Sequence, residues 1–151
     1  MATTHPFAAT ADTLEAFIEA WHAGRLTRAD WTHGAHVAVC AYYALDRDPE
    51  TTFAIVKAGI LDFARTCGIV HTATSGYHET LTRFWTLVIA AHVRASGATS
   101  RWTAALAALD RFGDDRELPQ RAYSFDVVRD ARARAAWVAP DRAVAGLPAV
   151  A

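Results

Sequence analysis

The segment from Thr32 to Leu45 constrains this chain most. Val37, Val39, Cys40, Tyr43 and Leu45 leave it apolar nearly all round, and a helix of that kind has to be surrounded by other elements. It is therefore expected to be the central helix of a bundle, starting at Thr32. The flanking segments supply the surround with a helical period. Leu14, Phe17, Ile18 and Trp21 follow the Asp12-x-x-Glu15 capping box and predict a helix over about 13–22, stopped by Gly24. Asp48-Pro49-Glu50 puts an N-cap, a first-turn proline and an acidic residue ahead of Phe53, Val56, Ile60 and Phe63, with Gly68 beyond the end. Ser75 is the expected cap of a fourth helix carrying Tyr77, Leu81, Phe84, Trp85, Val88 and His92 to near Gly97. Thr99 or Ser100 caps a fifth, with Trp102, Leu106 and Leu109, ending at Gly113. The span 114–120 reads as a polar loop, and Ser124 and Asp130 can each start a short helix before Pro140. No segment alternates with the two-residue period of a strand, and no repeat or linker is visible. The fold class is all-α: one compact helical domain over 1–151, a bundle of five to six helices with no sheet, with 1–10 and 142–151 as loosely ordered tails.

Length and charge narrow the function classes. A chain of 151 residues can bury around two-thirds of its unfolded surface without metal or disulfide help, so a metal here is expected to be functional before structural. With 15 basic and 16 acidic residues, a net charge of −1, it lacks the footprint that nucleic acid requires. Cys40 and Cys67 form no C-x-x-C pair and read as reduced core residues. No apolar run approaches the roughly 18 residues of a membrane span, and the N-terminal residues have no signal-peptide pattern. The expected protein is cytoplasmic, with no nucleic-acid or membrane partner. High Ala and Arg beside one Lys suit a GC-rich bacterial genome.

Two short motifs carry chemistry-bearing side chains. Trp31-Thr32-His33-Gly34-Ala35-His36 places two imidazoles three residues apart at a helix start. Such residues lie on one helix face and can direct both rings at one point, as a bidentate metal clamp does. Tyr77-His78-Glu79-Thr80-Leu81-Thr82 puts a histidine and a carboxylate at another helix start. Catalytic zinc usually takes three protein ligands and a water, and non-haem iron takes two histidines and a carboxylate. If the two helix starts meet, His33, His36 and His78 make a three-histidine site, and Glu79 is a fourth ligand or a nearby base. Trp31, Tyr77, Thr80 and Thr82 then supply an aromatic wall and hydroxyl donors for a substrate. The alternative is that these are satisfied structural histidines, because helix N-termini suit polar caps and favour anions over cations. Glu79 and Arg83, four apart, also make an ordinary surface pair. His92 lies on the apolar stripe and reads as a core or edge histidine, and His5 and His22 as surface residues. No H-E-x-x-H, Gly-rich phosphate loop or G-x-S-x-G is present.

The two histidine motifs together, with Tyr123-Ser124 and Val138-Ala139-Pro140-Asp141 as weaker matches, resemble a family of small, uncharacterised all-α bacterial proteins. The resemblance spans most of the chain. It implies that His33, His36, His78 and Glu79 act together, with Tyr123 and Asp141 in the pocket. The resulting expectation is a metal-dependent enzyme, a hydrolase or lyase acting on a small polar molecule by hydrolysis, hydration or elimination. Its cofactor is a divalent metal, zinc by default, with iron, nickel or manganese as alternatives, and Glu79 moves the proton. Two other readings stay open: a non-catalytic module binding a metal ion or small anionic metabolite, and an interaction protein that self-associates, for instance as a homodimer.

Overall fold

The computed structural model describes residues 3–151. Five long helices, α1 (Ala11–His22), α2 (His33–Ala44), α3 (Pro49–Thr66), α4 (Glu79–Ser96) and α5 (Arg101–Phe112), are followed by two short ones, α6 (Leu118–Ala122) and α7 (Ala131–Ala135). No strand occurs among the described residues. The chain is all-α.

Local sequence explains most of the helix starts. Asp48 and Ser100 cap α3 and α5 as expected, Thr32 caps α2, and Gly97 closes α4 at φ 72°, a value that favours glycine. Two caps differ from expectation. Thr10, in a reciprocal pair with Thr13, starts α1 in place of the Asp12 box: each hydroxyl accepts from the other residue's amide, at 3.1 and 2.9 Å. His78, not Ser75, caps α4. The loop before it closes on itself instead, with the Thr72 hydroxyl accepting from the Ser75 amide at 3.0 Å. The span 114–120 is not all loop, since α6 begins within it at Leu118. Ser124 starts no helix; its amide and hydroxyl bind the Asp141 carboxylate.

α2 occupies the centre, as its apolar circumference demands. It runs antiparallel to α5, with His33 beside Phe112 at one end and Tyr42 beside Arg101 at the other. Ala35, Ala38 and Ala41 of α2 and Ala104, Ala105 and Ala108 of α5 are all fully buried, so small side chains let these backbones approach. α3 and α4 are also antiparallel, tied by Glu50–Arg83 and Lys57–Glu79 ion pairs. The alternative Glu79–Arg83 pair is thus absent, and two bridges between helices stand in its place.

Both ends of the described chain lie on the bundle. The His5 ring fills the space over Gly34 and Gly113, where a Cβ on Gly34 would come within 2.3 Å of it. This residue was expected at the surface. The Trp102 indole donates to the Ala8 carbonyl at 2.9 Å, and Val144, Leu147 and Val150 pack against the core. A third close approach is testable. The six-membered ring of Trp21 packs against Gly59 of α3, and a Cβ there would sit 2.1 Å from it. Gly59→Ala is expected to lower stability by about 1–2 kcal/mol in denaturant titration, because the clash outweighs the helix propensity gained.

Candidate functional site

The first turns of α2 and α4 do meet, but they divide the expected site residues into three groups. The first group is a real pocket. Trp31, Thr32, His33 and His36 line a cavity of about 520 Å3 with Leu81 and Trp85 of α4, Arg116 and Gln120 around α6, and Val128. Trp31 stacks on Trp21 at 5.5 Å with 5° between planes, and its ring lies 5.1 Å from that of His36. The Trp85 ring lies 4.9 Å from His33. Each imidazole is thus held by an indole.

The two imidazoles differ chemically. His33 Nε2 lies 2.9 Å from the Phe112 carbonyl at the end of α5. A carbonyl only accepts, so Nε2 carries the proton and Nδ1 keeps its lone pair. Burial holds the His33 pKa below its ordinary value, partly offset by that carbonyl, and the Arg116 charge pushes the same way as burial. His36 Nε2 is enclosed and has no hydrogen-bond partner. Burial, with a smaller contribution from His33, pulls the His36 pKa down to about 4. Both rings are neutral at pH 7. An enclosed polar atom without a partner costs about 1–3 kcal/mol and calls for an explanation.

The second group is structural. His78 is buried and uses both nitrogens: Nδ1 accepts from the Leu81 amide at 3.1 Å, and Nε2 donates to the Val127 carbonyl at 2.8 Å. One ring thereby caps α4 and ties it to the segment before α7, and burial lowers its pKa so that Nδ1 stays free to accept. The Thr80 hydroxyl donates to the Ala136 carbonyl at 2.9 Å and accepts from the Val138 amide at 3.0 Å. Thr82 donates to the His78 carbonyl at 2.9 Å. Tyr123 is buried at 1 % exposure and donates to the Val138 carbonyl at 2.7 Å. Burial pushes its phenol pKa up. Asp141 is exposed and accepts from Ser124, whose hydroxyl and amide hold its pKa below the usual carboxylate range. None of these five lines the histidine pocket.

Tyr77 and Glu79 form the third group, on the other side of α4. Positions 79 and 81 are about 200° apart around a helix, so while Leu81 faces the histidines, Glu79 faces α3 and pairs with Lys57 at 2.9 Å.

The expected divalent metal does not find its three histidines together here. His78 has no free nitrogen for it, the pocket has no Asp or Glu in its lining, and among the described residues no three His, Cys, Asp or Glu side chains converge as a ligand set. The pocket's electrostatics run the other way. Its one charged residue is Arg116, which is exposed and pairs with no carboxylate among the described residues. The neighbouring Asp115 is held by Arg121 at 2.6 Å.

The chain matches no protein-family model, no curated protein and no solved structure.

Arg116 and Gln120 could not have been found by motif, since they sit around a five-residue helix too short for periodicity to show. Trp85 reads in sequence as one more residue of an apolar stripe. His92, read as a core or edge histidine, lies 3.1 Å from the Ala107 carbonyl and edge-on to Phe112. No helix of the described residues is long and apolar enough to cross a membrane.

Proposed function

We propose that the pocket between α2 and α4 binds a small, flat organic anion, and that His36 exchanges a proton with it. The observation that supports this is a single unpaired arginine in a pocket without carboxylates, beside an imidazole nitrogen that has no partner. The N-terminus of α2 adds partial positive charge on the same side. Trp31 and Trp85 supply apolar walls, and Gln120 adds an amide for orientation. In this reading the site is a binding module with acid–base capacity. His33, its tautomer fixed by the Phe112 carbonyl, offers the Nδ1 lone pair, and His36 gains a proton when a negative charge arrives beside it.

Titration calorimetry with benzoate and with its neutral isostere benzamide tests the proposal. Benzoate is expected to bind at least about tenfold more tightly, the magnitude of one charge-assisted hydrogen bond, and Arg116→Gln to remove that preference. Its affinity should also rise from pH 8 to pH 6, because binding takes up a proton at an imidazole whose pKa in the free protein is low. Equal affinity for the two probes, or a preference that survives Arg116→Gln, would overturn the anion assignment. Failure of both to bind would overturn the pocket.

A further inference from the structure

The other half of the second motif lines a cavity of its own. Lys57 and Leu61 of α3, the loop residues His71 and Thr72, Tyr77 and Glu79, and Arg134 of α7 surround about 460 Å3. This cavity shares no residue with the histidine pocket.

Its polar groups are mostly donors. The Lys57 ammonium lies 2.9 Å from Glu79 and 5.6 Å from the centre of the Tyr77 ring, with its side chain 38 % exposed. One carboxylate leaves an ammonium with further N–H donors to satisfy. Arg134 spends its two terminal nitrogens on backbone, donating to the Gly76 carbonyl at 2.7 Å and the Val128 carbonyl at 3.3 Å, but its Nε–H is buried without a partner. The Tyr77 hydroxyl is likewise buried and makes no hydrogen bond of normal geometry, although the Glu79 carboxylate and the Thr82 hydroxyl lie near it. His71 Nδ1 accepts from the Tyr77 amide at 3.0 Å, so the neutral ring carries its proton on Nε2 and is a donor there too. Two cationic side chains and one carboxylate thus line the same space, the Arg134 Nε–H has no acceptor, and the Tyr77 hydroxyl makes no hydrogen bond of normal geometry. The chain has fourteen arginines and one lysine, Lys57, so an ammonium stands here in a protein that otherwise uses guanidinium.

We propose that this cavity is a second binding site, for a small oxyanion group, carboxylate or phosphate, held by Lys57 and by the donors of Tyr77 and Arg134. An acceptor-rich ligand supplies what the cavity lacks, whereas a cation would meet two like charges. Glu79 keeps the ammonium in place and repels any group more negative than the donors can offset. The proposal is independent of the histidine pocket.

The single lysine gives a direct readout. Limited acetylation of the folded protein with acetic anhydride, followed by mass spectrometry, reports Lys57 and the N-terminal amine as two separate sites. Inorganic phosphate and succinate, each compared with chloride at equal ionic strength, distinguish the two oxyanion sources. At saturating probe, at least one of them is expected to slow Lys57 acetylation by about threefold or more by mass action, with the N-terminal amine unchanged. Tyr77→Phe, which keeps the ring and its packing, is expected to abolish the protection, and His36→Leu to leave it intact. Protection by neither probe, equal slowing of the N-terminal amine, or protection that survives Tyr77→Phe would overturn the proposal.

Discussion

His78→Ala is expected to destabilise the protein by roughly 2–4 kcal/mol, a fall of about 5–15 °C in melting temperature for a domain of this length, while leaving benzoate affinity unchanged in the fraction that folds. The size follows from the ring's two bonds. Losing Nδ1 uncaps α4 at the Leu81 amide, and losing Nε2 leaves the buried Val127 carbonyl without its donor. His78→Asn separates the two contributions, because an amide oxygen restores the cap but cannot reach Val127 with the same geometry. It should recover about half of the loss. Denaturant titration of the three proteins measures the stabilities, and calorimetry with benzoate measures the site. A variant that keeps its stability but loses affinity would return His78 to the binding site.

Acid is expected to destabilise the protein well above the pH at which its carboxylates titrate. His36 has a folded pKa of about 4 against 6.5 for an unperturbed histidine. Its folded value is the lower one, so below pH 6.5 the unfolded chain binds a proton that the folded chain does not. Stability therefore falls as pH drops from about 6.5 to about 4, and His36 contributes no further change below that. The separation corresponds to roughly 3 kcal/mol, and His33 and His78, both lowered by burial, add in the same direction. Asp46, Asp48 and Asp130, lowered by their hydrogen bonds to Arg101, the Thr51 amide and the Ala133 amide, lose their contribution only below the ordinary carboxylate pKa of about 3.9. His36→Leu should flatten most of the slope between pH 6.5 and 4. It should also raise stability at pH 7 by about 1 kcal/mol, since an enclosed nitrogen without a partner is replaced by an apolar group of similar size. Melting curves at half-unit pH steps measure both effects. A wild-type protein with constant stability from pH 7 to 4.5 would show that the His36 ring is solvated. The gain at pH 7 should come with lost anion binding, the usual exchange of stability for function.

The fold was largely legible because the signals that build it are local. Helical period, Asp48-Pro49, Ser100 and Gly97 act within a turn of the residues they organise. The all-apolar circumference of α2 requires a central position whatever its neighbours are. The two caps that differ from expectation are also local choices between near-equivalent partners. Thr10 outcompeted Asp12, and His78 outcompeted Ser75 because its ring satisfies two elements at once. The sequence likewise carried Trp31, His33 and His36 to one pocket, since residues three apart share a face.

Which way the second motif faces was decided only by the tertiary structure. Consecutive helical residues turn by about 100°, so Tyr77-His78-Glu79-Thr80-Leu81 is distributed around a helix start that is enclosed on several sides. Leu81 meets the histidines, His78 and Thr80 bind the segments around α7, and Glu79 meets Lys57 on α3. The spacing 33/36 fixes a direction because both residues belong to one regular helix. The spacing 36/78 fixes none, because it depends on how two helices cross and on which backbone carbonyl each imidazole finds. Arg116 enters the pocket through the same long-range packing. Sequence by itself therefore determined the helices, the central place of α2 and one face of the pocket; the charge of that pocket, and the separation of His78 and Glu79 from it, are properties of the packed molecule.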